Sequence, residues 1–119
     1  MGRILVVDDE PDLRFLLHRF FERAGHEVTE AGDGADALAS VRQSYPDLVV
    51  TDMMMPVMSG VELIHHLRAD PATAKIPVMA VSADCHLAVG ADVALGKPYQ
   101  RAALLEAAER LLREGRGTT

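Results

Sequence analysis

Five short apolar runs, each giving way to polar or charged residues, alternate with amphipathic stretches along this chain. That alternation constrains the fold more than any other feature. Ile4-Leu-Val-Val7 ends at Asp8-Asp9-Glu10-Pro11, and Leu13, Leu16, Leu17, Phe20 and Ala24 then recur at helical spacing until Gly25 stops the helix. His26–Ala31 reads as a second, more polar strand, expected at an edge. Gly32-Asp-Gly34 turns the chain into a helix over residues 35–44 with Ala37, Leu38 and Val41 on one face. Leu48-Val-Val-Thr-Asp52 is β-rich and reads as a buried central strand, followed by the apolar loop Met53–Met58. Ser59-Gly60 opens a third helix through Leu63, Ile64 and Leu67, which Asp70-Pro71 breaks. Ile76–Val81 is a fourth strand that runs into Ser82-Ala83-Asp84. A short segment, Cys85–Val89, leads through Gly90 to a weak fifth strand, Ala91–Leu95, and then Gly96-Lys97-Pro98. Leu104, Leu105, Ala108, Leu111 and Leu112 mark a last amphipathic helix.

Strands that alternate with helices make a parallel sheet with right-handed crossovers and helices on both faces. All strand ends of one polarity then share one edge, where open α/β sheets place their ligand sites. Asp8 and Asp9 follow the first strand, Asp52 the third, Ser82 the fourth and Lys97 the fifth, so topology alone gathers them. Three carboxylates in one crevice repel one another unless a cation intervenes. Hard oxygen donors with room for water suit Mg²⁺. Lys97 adds a positive charge and Ser82 a hydroxyl, and together they suit the oxygens of a phosphoryl group carried on Asp52. A single Asp after a strand is more simply a turn residue. Acids on two strands with Ser and Lys on two more are not explained that way.

A chain of 119 residues is one domain that buries a core without staples. We expect the domain over residues 1–114 and a flexible tail over 115–119. The net charge of −6, without a basic run, makes nucleic acid and anionic membrane poor direct partners. The lone Cys85, the lack of a long apolar run and an N-terminus without a signal-peptide pattern lead us to expect a cytoplasmic setting.

The chain resembles response-regulator receiver domains of two-component signalling, of the chemotaxis-regulator kind. The likeness is carried by Val6-Val-Asp-Asp-Glu-Pro11, Ala31-Gly-Asp-Gly34, Asp47-Leu-Val-Val-Thr-Asp-Met-Met-Met-Pro56, Gly60, Pro77-Val-Met-Ala-Val-Ser-Ala83 and Lys97-Pro98-Tyr99. These pieces span almost the whole chain in the family's order. The resemblance implies a flavodoxin-like, doubly wound five-stranded parallel sheet of order 2-1-3-4-5. It implies that Asp52 accepts a phosphoryl group from a histidine kinase or phosphotransfer protein. It also implies that Asp9 binds Mg²⁺ directly and Asp8 mainly through water, with Asp52 and the Met54 backbone carbonyl completing the protein ligands. Ser82 matches the switch hydroxyl and Lys97 the phosphate-contacting lysine, with a cis bond to Pro98. A downstream effector protein or domain is implied. The chain is expected to assist its own phosphorylation and dephosphorylation and otherwise not to be an enzyme.

Two departures stand out. Receivers usually carry Tyr or Phe three residues before the lysine, where this chain has Ala94. The segment between Ser82 and Gly90 is short, so the fourth helix of the family is expected to be shortened or missing. Without the ring, coupling is expected to leave through the loops after Asp52 and Ser82 and through the first helix, rather than through Tyr99.

Other signals have plainer readings. Gly32-Asp-Gly34-Ala-Asp-Ala37 mimics a dinucleotide fingerprint. It follows the second strand, and Asp33 and Asp36 would repel a pyrophosphate, which favours a turn. His65 and His66 are adjacent on a helix and so diverge to the surface; His18 and His86 are expected there too. Cys85 reads as a small, half-buried residue. Met53, Met54, Met55 and Met58 either face a partner or pack over the crevice. Two rival functions stay open: a phosphorylation-independent receiver-fold interaction domain, and an aspartyl-phosphate phosphatase of the haloacid dehalogenase type. The latter needs a second acid two residues after the nucleophile, where Met54 stands.

Overall fold

The computed structural model of the chain describes residues 2–55, 57–83 and 90–115. Five strands, β1 (Arg3–Val7), β2 (Glu27–Ala31), β3 (Leu48–Asp52), β4 (Val78–Ser82) and β5 (Val93–Gly96), form one parallel sheet in the order β2-β1-β3-β4-β5. The described helices are α1 (Pro11–Arg23), α2 (Gly34–Gln43), α3 (Gly60–Ala69) and α4 (Arg101–Glu114). This is the flavodoxin-like order that the resemblance implied. The expected shortened or missing fourth helix falls on residues 84–89, which lie outside the described residues, as do Pro56, Cys85, His86 and residues 116–119 of the expected tail. No helix among the described residues is long and apolar enough to cross a membrane.

Strand alternation sorts the core into two layers. Leu5, Val7, Val49, Val78 and Ala80 face α2 and α3, meeting Ala37, Val41, Leu63, Ile64 and Leu67. Ile4, Val6, Leu48, Val50, Met79 and Val81 face α1 and α4, meeting Leu17, Phe21, Leu104, Ala108 and Leu111. The three inner strands are buried on both faces, which is why they read as unbroken apolar runs. β2 mixes polar and apolar residues, is largely exposed and forms one edge, as expected.

Element starts differ from the expectations where a polar residue has another partner. β2 begins at Glu27 because the His26 amide closes the end of α1, donating to the Phe21 carbonyl at 3.1 Å. The His26 ring is buried: Nδ1 accepts from the Gly2 amide at 3.1 Å, so Nε2 donates to Glu109 on α4 at 2.7 Å. β4 begins at Val78 because Pro77 offers no N–H to the ladder. β5 begins at Val93 because Asp92 is spent on β4. Its amide donates to the Val78 carbonyl at 2.8 Å, and its Oδ2 accepts from the Val78 amide at 2.8 Å. α3 carries a capping box, with the Ser59 hydroxyl accepting from the Glu62 amide at 3.2 Å and Glu62 reaching back to the Ser59 amide.

Candidate functional site

Each residue picked from the sequence sits at a strand's carboxyl end. Asp8 directly follows β1, Asp52 closes β3, Ser82 closes β4, and Lys97 directly follows β5. Ladder register does the placing. Asp52 pairs with Val81 and Ser82 with Gly96, so Ser82 follows the partner of Asp52 and Lys97 follows the partner of Ser82. The carboxylates of Asp8, Asp9 and Asp52 lie within 4.8 Å of one another. Lys97 Nζ is 3.6 Å from Asp52 Oδ2 and 3.9 Å from Asp8 Oδ2. Asp52 Oδ1 accepts from the Met53 amide at 2.8 Å, so its two oxygens have different surroundings. Ser82 is buried and stands beside this group at the end of β4. The Lys97 amide donates to the Ser82 carbonyl at 2.9 Å, and the Lys97–Pro98 bond is cis.

The donor set fits Mg²⁺. It is all oxygen, it carries excess negative charge, and Asp9 lies open to water. Oxygens bound to one Mg²⁺ at about 2.1 Å lie at most about 4.2 Å apart. A cluster within 4.8 Å therefore needs only a small closure, or one acid acting through water. Asp8 has little solvent to help it: burial is the largest cause that raises its pKa, the charges of Asp52 and Asp9 add to it, and the Glu10 amide and Lys97 oppose it. The Tyr99 phenol is likewise pushed up, by burial first and by the charge of Asp8 second.

An expected result follows for the metal-free protein. A raised native value means that the folded state holds the Asp8 proton more tightly than the unfolded chain does. The resulting stabilisation is complete below the ordinary value of 3.8 and is lost as pH rises through the native value. Asp8→Asn should therefore raise the metal-free Tm by a few degrees at pH 7, and the gain should vanish towards acid pH. Melting curves with chelator across pH check this; a gain that grows towards acid would contradict it. Saturating Mg²⁺ should stabilise wild type and not the variant.

The loop after Asp52 is fixed by two close approaches. The Gly60 amide donates to the Met53 carbonyl at 3.0 Å, and a Cβ at Gly60 would collide with the Asp52 carbonyl. The Gly34 amide donates to the Met58 carbonyl at 3.0 Å, and a Cβ at Gly34 would stand 2.7 Å from that oxygen. Asp33 caps α2 by accepting from the Asp36 amide at 2.8 Å. The glycine-rich stretch is thus a turn with its Gly34 amide engaged by the neighbouring loop. The methionines divide: Met53 is buried, Met55 and Met58 pack on the core, and Met54 is exposed. The exposed Val57 holds a left-handed φ of 68°, a costly conformation for a β-branched residue.

His65 and His66 are exposed with rings edge to face, as surface residues. His18 departs from expectation. It is half-buried, with Nδ1 2.7 Å from Glu30 and Nε2 3.5 Å from Glu22, because it faces the β2 edge rather than open solvent. Ala94 is exposed on β5, while Val93 and Leu95 pack towards α4. Sequence reasoning missed Arg14, whose Nη1 donates to the Asp8 carbonyl at 2.8 Å. The sequence offered no signal for it, because α1 also carries Asp12, Arg19, Glu22 and Arg23, among which one more charge reads as solvated. Beside Asp8 and Lys97 an apolar cleft runs between α1 and the β5–α4 loop, lined by Leu13, Leu16, Leu17, Phe20, Pro98 and Tyr99.

The model of the response regulator receiver domain matches residues 4–109. The chain is 40% identical over 124 residues to the transcriptional regulatory protein PrrA of Mycobacterium tuberculosis, a match that covers 98% of this chain and 52% of PrrA. The chain thus spans about half the length of such curated relatives. Its fold matches the signal receiver domain of a signal transduction histidine kinase from Syntrophus aciditrophicus, with a TM-score of 0.89 and 30% identity over 95% of this chain and 91% of that one. It also matches the receiver domain of the sensor histidine kinase PA1611 from Pseudomonas aeruginosa PAO1. There the TM-score is 0.88 with 26% identity over 94% of this chain and 98% of that one, and a magnesium ion is coordinated in the active-site cleft of that protein.

Proposed function

Because the chain belongs to the response regulator receiver domain family of two-component signalling, we propose that it is a phospho-acceptor switch in which Asp52 takes a phosphoryl group from a phosphohistidine. The observation that carries this reading is the placement of Lys97 Nζ 3.6 Å from Asp52 Oδ2 with Asp8 and Asp9 alongside. The Met53 amide holds Oδ1 and leaves Oδ2 as the attacking oxygen. As the Oδ2–phosphorus bond forms, the bond from phosphorus to the donor's imidazole nitrogen breaks, and its electron pair returns to the ring. Lys97 and the Ser82 hydroxyl meet the transferred oxygens. Asp8, Asp9, Asp52 and the Met54 carbonyl would hold Mg²⁺, which would supply charge neutralisation on those oxygens. The apolar cleft beside Lys97 offers a phosphodonor protein, a histidine kinase or phosphotransfer protein, a surface next to the acceptor.

The acyl phosphate carries about −1.5 to −2 charge in place of the single negative charge of the Asp52 carboxylate. Its pull on Ser82 and Lys97 changes the loops after β3 and β4 and the start of α1, which a downstream effector protein or domain reads. Ala94 supplies no ring to carry that change. The chain turns over no metabolite. The test is phosphoryl incorporation with a small-molecule phosphodonor and Mg²⁺. Wild type should gain one acid-stable, base-labile acyl phosphate, and Asp52→Asn should lose essentially all of it. Equal labelling of the two proteins overturns the assignment. No labelling of wild type, with partner binding intact, favours the phosphorylation-independent reading.

A further inference from the structure

We propose that Arg14 is a positioning residue for the acid triad, holding the Asp8 carbonyl and so setting the direction in which Asp9 meets a divalent cation. This inference rests on the reading of the triad as a Mg²⁺ site and deepens it. Among the described residues no hydrogen bond holds the Asp9 carboxylate, so its aim is a property of the backbone that carries it. That backbone is pinned at three points. The Asp8 amide donates to the Ala31 carbonyl at 3.2 Å, the Glu10 amide donates to Asp8 Oδ1 at 2.9 Å, and Arg14 Nη1 donates to the Asp8 carbonyl at 2.8 Å. The third bond acts on the peptide plane that joins Asp8 to Asp9. Peptide planarity passes the orientation of that carbonyl to the Asp9 amide and Cα.

Arg14 is itself braced. Its Nε donates to Glu30 Oε1 at 2.9 Å, and the other Glu30 oxygen is 2.7 Å from His18 Nδ1. Glu30 lies on β2 opposite Val6, so the brace is anchored in the ladder that ends at the site.

Charge and positioning predict opposite results. A guanidinium near a cation repels it, so if Arg14 acted through charge its removal would tighten Mg²⁺ binding. If it acts by holding the peptide, removal weakens binding by about tenfold, the low end for residues that orient metal ligands. The experiment is a Mg²⁺ titration of the full chain without phosphodonor, followed by amide NMR shifts, for wild type, Arg14→Met, Arg14→Lys and Glu30→Gln. Arg14→Met should raise Kd about tenfold. Arg14→Lys keeps a donor and should recover part of that loss. Glu30→Gln still accepts from Nε and should lose less than Arg14→Met. Metal-free amide dispersion and Tm establish folding; should Arg14→Met not fold, Arg14→Gln replaces it with the same expected direction. Wild-type Mg²⁺ binding with unchanged or tighter binding in these Arg14 variants overturns the positioning role alone. No Mg²⁺ response in wild type overturns the metal reading and this inference together.

Discussion

Arg68→Ala is expected to cost about 3–5 kcal/mol, a large part of the stability of a domain this size. The Arg68 side chain leaves α3 and satisfies two loops at once. Nη1 donates to the carbonyls of Ala74 and Ile76 at 3.0 and 2.6 Å, Nε to Gly90 at 3.2 Å, and Nη2 to Asp92 Oδ2 at 2.9 Å. Asp92 is nearly buried and also accepts the first amide of β4. Removing the guanidinium takes a charged partner from a nearly buried carboxylate and leaves the carbonyls to find water, which is the expensive way to break such a pair. Arg68→Lys should recover less than half, because one ammonium cannot reproduce a fork that spans both loops. Urea denaturation should show a lower midpoint with an unchanged slope. A loss below about 1 kcal/mol would remove Arg68 from the frame of the sheet.

The second large effect is expected from Gly60→Ala, at about 3 kcal/mol, the upper end for overpacking, since the new methyl meets backbone on two sides. It would collide with the Asp52 carbonyl and stand 2.7 Å from Met53 Cα. Neither atom belongs to a flexible side chain, so relief requires β3 and α3 to separate where Asp52 closes its strand. The variant should therefore lose both Tm and the capacity of Asp52 to be labelled, even at temperatures where circular dichroism shows it folded. A surface change at the next residue, Val61→Ala, should leave both readouts near wild type. Folded Gly60→Ala that labels at the wild-type rate would show that the turn tolerates displacement.

The acid–lysine site was legible because a parallel sheet converts sequence order into spatial order. Once the runs ending at Val7, Asp52, Ser82 and Gly96 are read as parallel strands, Asp8, Asp52, Ser82 and Lys97 have only one edge to share. The layers of the core were legible for the same reason, from a period of two in the strands and of three to four in the helices. Strand starts were less so. At His26 the boundary is set by an amide turned back to the end of α1, at Pro77 by a missing donor and at Asp92 by a side chain bonded to β4, and hydrophobic period carries no trace of any of them. Arg14 and Arg68 were silent because a charged residue on a helix reads by default as a solvated one. Their roles arise from backbone carbonyls that only the folded chain brings within reach.

The bond between the Lys97 amide and the Ser82 carbonyl carries a mechanical consequence. Ser82 and Lys97, the two residues proposed to meet a phosphoryl group, are the ends of one rung, so neither travels alone. A pull on either side chain tilts the rung as a lever. The run through Pro98 and Tyr99 beside it lies against α1, so the tilt is passed to α1 rather than along α4. The gearing is then set by how firmly that run is clamped against α1, rather than by how far either side chain can reach.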